Sequence, residues 1–134
     1  MYISRLFFGL SVLLTLLILA GCSSGPGPVE VAKAAFESTV SADMNTAKPL
    51  YCEKMQSIFP SQEEMDALQK ELNVQFTFDF SKLTYEVKEE SEGETTVGVS
   101  GTLRVTTPQG SEDLPYDEVI HLIQENGKWL VCEE

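Results

Sequence analysis

"FTFDFSKLTYEV", Phe76 to Val87, is the stretch where the hydrophobic period of this chain changes to two. Phe76, Phe78 and Phe80 are separated by Thr77 and Asp79, so the three rings share one face of an extended strand. Leu83, Tyr85 and Val87 continue the alternation with the opposite parity. The slip falls at Ser81-Lys82 and predicts a bulge or bend inside one long strand. Downstream of this point the chain alternates. Upstream it repeats at helical spacing.

On the downstream side, Thr95 to Val105 is the cleanest strand, with Val97, Val99, Leu103 and Val105 on one face and Ser100, Thr102 and Arg104 on the other. "TPQGSEDLP", Thr107 to Pro115, reads as a turn or loop. Tyr116 to Gln124 reads as a third strand. Asn126-Gly127 accepts the positive φ angles of a tight hairpin turn, and Trp129 to Cys132 is the last strand. "EVKEESEGETT", Glu86 to Thr96, reads as a charged hairpin tip without ligand spacing.

On the upstream side, Val29, Ala32, Phe36 and Val40 mark one face of a helix over Val29 to Ser41. "AKPLYCEKMQSIF", Ala47 to Phe59, predicts a second helix in which Pro49 must lie in the first turn. Pro60 ends it. Ser61 with Glu64 forms a capping box, and Met65, Leu68 and Leu72 supply the inner face of a third helix. The expected fold class is α+β. N-terminal helices pack on a strongly bent four-stranded antiparallel sheet, because a sheet with one apolar face needs a covering layer.

The first residues carry a different signal. Arg5 precedes the apolar run Leu6 to Ala20, and no acidic residue occurs before Glu30. A basic start, a short apolar centre and small residues at the end describe an export signal. Crossing a bilayer takes about 20 apolar residues, more than this run supplies. Its end, Leu19-Ala20-Gly21-Cys22, resembles the lipobox of bacterial lipoproteins. That resemblance implies cleavage after Gly21 (signal peptide 1–21), with Cys22 as first residue and site of diacylglyceryl and palmitate-type acylation. "SSGPGP", Ser23 to Pro28, extends Cys22 into a flexible tether over 22–28, leaving a domain over 29–134. The expected location is extracytoplasmic, held by lipid at the cell membrane or outer membrane.

All 21 acidic residues lie in that exported part, against 9 basic residues in the whole chain and a formal net charge of −12. Such a body is repelled by nucleic acid and anionic lipid head groups. Besides Cys22 the chain has Cys52 and Cys132, which in an oxidising compartment pair as a disulfide. The alternative is a catalytic thiol, for which His121 is the sole histidine base.

The order of elements, with "VEVAKAAFESTVSADMNTAKPLYC" at the front and "NGKWLVC" at the end, is similar to the cone-shaped fold of ketosteroid isomerase, scytalone dehydratase and nuclear transport factor two. Within that superfamily it resembles small bacterial lipoproteins with domains of unknown function. The resemblance implies a space between sheet and helices, used for catalysis in some members and for ligand or protein contact in others. It also implies the option of a homodimer through the outer face of the sheet.

Phe76, Phe78, Tyr85 and His121 are the candidates for lining such a pocket. His121 lies between Ile120 and Leu122 and faces either core or pocket. Tyr51, Tyr85, Tyr116, Asp79 and Asp117 are the residue types an isomerase would need, but none maps onto that group's motif, so no catalytic residue is assigned. The sequence holds no phosphate loop, no calcium-loop spacing and no second histidine for zinc. No metal or other cofactor is expected. The leading expectation is a lipid-anchored binding domain of the cell envelope, for a small apolar ligand or an envelope protein. An isomerase- or dehydratase-type enzyme is the alternative.

Overall fold

In the computed structural model, which describes residues 25–133, helices come first and a four-stranded antiparallel sheet follows. Helix α1 spans Pro28–Val40. Pro28 sits at its first position, where a missing N–H costs nothing, and the Gly27 N–H donates to Glu30 Oε2 at 3.0 Å. The helix thus begins inside the stretch read as a tether. Its buried side chains, Val31, Ala32, Ala35 and Phe36, recur at helical spacing.

The second predicted helix is not continuous. The chain forms α2 (Met44–Ala47), a 3-10 turn over Lys48–Leu50, and α3 (Glu53–Gln56). Pro49 explains the break. It cannot donate to a continuing helix, and the residues after it swing out, so that Tyr51 makes a parallel bridge to Val131 and the Cys52 N–H donates to the Val131 carbonyl at 2.9 Å. Cys52 therefore lies in an extended segment at the N-terminal cap of α3, beside the last strand.

Helix α4 spans Gln62–Leu72 with the expected cap. Ser61 Oγ accepts from the Glu64 N–H at 3.2 Å, and Glu64 Oε2 accepts from the Ser61 N–H at 2.7 Å. Of its apolar stripe only Met65, half-buried, packs against the core. Leu68 and Leu72 are 48 % and 61 % exposed, and α4 has no buried residue. What fixes the helix is Gln62, whose Oε1 accepts from the Met44 N–H at 2.7 Å and whose Nε2 donates to the Ala42 carbonyl at 3.1 Å.

The strands are β1 (Thr77–Ser91), β2 (Glu94–Thr107), β3 (Gly110–Glu125) and β4 (Lys128–Val131), arranged in the order 1-2-3-4. The register of β1 against β2 shifts between Asp79 and Lys82, where the parity change requires it, and again between Val87 and Glu89. At the first shift the Asp79 carboxylate accepts the Ser81 N–H at 2.9 Å. Opposite it, Gly101 has φ +130, and a Cβ there would collide with the Lys82 carbonyl.

The region Ser111 to Pro115, expected as loop, belongs to β3. The turn is the two residues Pro108-Gln109, with Thr107 paired to Gly110. Pro115 is tolerated because its nitrogen lies on the side of β3 away from β2. Asn126 and Gly127 take φ +52 and +78 in the last hairpin, as their sequence demands.

One buried cluster joins α1 and α2 to all four strands: Phe36 and Ala35, Met44, Leu83, Val97 and Val99, Leu122 and Val131 are among its members. Cys52 and Cys132 form a disulfide with Cα atoms 5.3 Å apart. Among the described residues no helix is long and apolar enough to cross a membrane. The expected signal peptide 1–21, Cys22 and the first residues of the expected tether lie outside the described residues.

Candidate functional site

Three places on the domain gather chemistry. One depression is an open cleft of about 660 Å³ where the β1–β2 hairpin tip meets the end of β3. The second register shift builds it. At that bulge Thr95 Oγ1 donates to the Glu89 carbonyl at 2.8 Å and Thr96 Oγ1 accepts from the Glu89 N–H at 3.0 Å. The two threonine hydroxyls thus take over backbone pairing that the shifted ladder leaves out. Glu89, Glu90, Glu94 and Glu133 rim the cleft, and His121 and Cys132 line it. His121 is exposed, which settles the choice between core and pocket, and its carbonyl accepts from the Cys132 N–H at 3.0 Å.

A shallower groove of about 380 Å³ lies at the other end of the sheet. Phe76, Val105 and Leu114 supply its apolar lining, and Thr107, Gln109 and Ser111 its polar rim. Phe76 is 52 % exposed there. The three phenylalanines form a ladder that leads into β1, with ring centroids 6.2 Å apart for Phe76 and Phe78 and 6.1 Å for Phe78 and Phe80. At the inner end of the ladder Phe80 stands edge-on to Phe36 of α1 at 6.2 Å.

The third place is a set of tyrosines around Phe36. Tyr85 and Tyr116 lie 6.4 Å and 4.9 Å from that ring. The Tyr85 hydroxyl donates to Glu37 Oε1 at 3.2 Å, and Lys33 Nζ sits 5.9 Å from the Tyr85 ring centroid. Burial, followed by the Glu37 carboxylate, pushes the Tyr85 phenol well above its usual range. Burial also raises Tyr51, although its hydrogen bond with Thr39 Oγ1 at 2.9 Å works against the shift. Tyr116 is raised by burial and then by Glu118. All three phenols are neutral at physiological pH, and that of Tyr85 acts as a donor, to Glu37.

The four residues picked from sequence as pocket-lining do not line one cavity. Phe76 and His121 belong to depressions at opposite ends of the sheet, and Phe78 and Tyr85 pack against the core between them. Asp79 and Asp117 are exposed. Glu37, the partner of Tyr85, was not a sequence candidate. Its signal was available, since it follows Phe36 on a helix whose inner face was legible, but its partner is 48 positions away. Among the described residues no three His, Cys, Asp or Glu side chains cluster as a metal ion requires. No protein-family model matches the chain, and no curated protein matches it either.

Proposed function

We propose that this chain is a bacterial lipoprotein, anchored outside the cytoplasm through acylated Cys22, whose α+β domain binds a ligand or protein at the cell envelope. The observation that carries the reading is Leu19-Ala20-Gly21-Cys22 closing the apolar run Leu6 to Ala20. The Cys52–Cys132 disulfide supports it, because such bridges persist in oxidising compartments. A strongly bent, cone-like sheet belongs to the same proposal, and the two register shifts in β1 favour it, since bulges bend the strand that carries them. For a ligand, the apolar groove at Phe76 suits a small apolar molecule, and the larger cleft suits a polar partner.

Mass spectrometry of native material tests the anchor. The expected N-terminus is a triply acylated Cys22. An unmodified Cys22 still joined to Gly21 overturns it. Thermal-shift measurements against envelope components test the binding role, with a rise in Tm expected for at least one of them.

A second reading, an isomerase- or dehydratase-type enzyme, is favoured by the pairing of the neutral Tyr85 phenol with the Glu37 carboxylate. A carboxylate base beside a phenol donor is a workable acid–base pair. It predicts turnover of an enolisable ketone that Glu37→Gln abolishes. Absence of turnover across such ketones by the wild-type chain removes this reading.

A further inference from the structure

Strand β3 is far longer than its neighbour β4. β4 pairs only with Leu122 to Glu125 and the Cys132 N–H takes the His121 carbonyl, so Gly110 to Ile120 has β2 on one side alone. Among the described residues no backbone hydrogen bond reaches the other side between Gly110 and Ile120. The direction of the open groups follows from two bonds. The Cys132 N–H reaches the His121 carbonyl, and the Gln124 N–H reaches the Gly93 carbonyl at 2.8 Å. In an antiparallel ladder successive residues turn their backbone groups to opposite sides. Since the β2–β3 register is unbroken, odd-numbered residues of β3 face away from β2. The amides of Ser111, Asp113, Asp117 and Val119 therefore point to an open edge. Pro115 shares their parity and loses no ladder bond.

An open edge of this length is a template for another strand, and charge decides which one. Between Gly110 and Glu125 there is no lysine or arginine, while Glu112, Asp113, Asp117 and Glu118 lie along the edge. Asp113 is engaged by Arg104 through bonds of 2.6 Å and 2.9 Å, which leaves three carboxylates without such a partner. A second copy of this chain fits badly. Pairing β3 with itself about Pro115 sets Asp113 against Asp117, and like charges directly opposite destabilise a ladder. The net charge of −12 adds long-range repulsion. An extended segment carrying lysines at alternate positions meets the same edge with attraction.

We propose that the open edge of β3 takes up an extended, lysine-rich strand of a partner protein as a fifth strand of the sheet. The inference rests on the binding role above and names the partner's chemistry. The test uses the full chain in neutral detergent with a short synthetic peptide alternating lysine and valine, followed by amide hydrogen exchange. Exchange at Asp113, Asp117 and Val119 is expected to slow at least about tenfold, while Ile120, already bonded to β2, is unchanged. Asp117→Lys is expected to weaken the peptide about tenfold, and Lys70→Glu, on helix α4, to leave it unaltered. A glutamate analogue and an analogue N-methylated on alternate residues are expected to give no protection. Protection by the N-methylated peptide, protection confined to β1, or no protection at all overturns the proposal. If the lysine peptide fails while another envelope component still raises Tm, the edge assignment falls and the binding role stands.

Discussion

Gly101 shows how one residue licenses a feature of the sheet. Its φ of +130 is open to glycine alone, and the Lys82 carbonyl fills the space a side chain would need. Gly101→Ala is expected to cost about 2–3 kcal/mol, read from urea denaturation, by combining backbone strain with that collision. Gly93, at φ +78 in open space, bears only the strain, so Gly93→Ala should cost about 1 kcal/mol. Electrostatics at the same scale appears in Asp113. Its hydrogen bonds from Arg104 hold the carboxyl below its ordinary value of 3.8. A depressed carboxyl stabilises the fold above the unfolded value and loses that contribution as pH falls through the lower folded one. Tm should therefore drop as pH is lowered below about 4, and Asp113→Asn should flatten that limb. The pair is exposed, so added salt should shrink the difference.

At the scale of elements, α4 and β2 make a contrast that sequence could not supply. Both carry an apolar pattern of the right period, yet Val97 and Val99 have no exposure while Leu68 and Leu72 stand in solvent. Leu68→Ala is thus expected to change stability by under about 0.5 kcal/mol, and Leu122→Ala, 1 % exposed, to cost about 3 kcal/mol in the same denaturation assay. The edges of the sheet also differ. Two register shifts and the charged run Lys88 to Glu90 make β1 a poor template for a further strand, as bulges and charges on edges do. Tyr51 and Cys52 cover the short β4. That leaves β3 as the edge with open backbone groups and few obstacles.

For the whole molecule, the disulfide joins positions 80 apart and fixes the segment after the 3-10 turn to the end of the chain. Loop-closure entropy for such a span suggests a loss of about 4–5 kcal/mol in the Cys52→Ala/Cys132→Ala double variant, measured by denaturation against the oxidised protein. A drop below about 1 kcal/mol would mean that the Cys52 N–H to Val131 bond and the Tyr51–Val131 bridge hold the segment by themselves.

The order of elements, the four-stranded antiparallel sheet and the slip at Ser81-Lys82 were legible in the sequence, because each rests on period and parity over neighbouring residues. The cap at Ser61 and Glu64 and the Asn126-Gly127 turn were legible for the same reason, since their partners lie within a few positions. The pairing of Cys52 with Cys132 was one of two readings, and the fold brought their Cα atoms to bridging distance. The break around Pro49 was missed because an extended Tyr51–Cys52 is stabilised by Val131, far along the chain. Only tertiary structure decided that Leu68 and Leu72 of α4 stay exposed while Met65 packs inward, that Tyr85 finds Glu37, and that Phe76 and His121 stand at opposite ends of the sheet. Burial and convergence depend on which remote surfaces meet, and no local pattern encodes that.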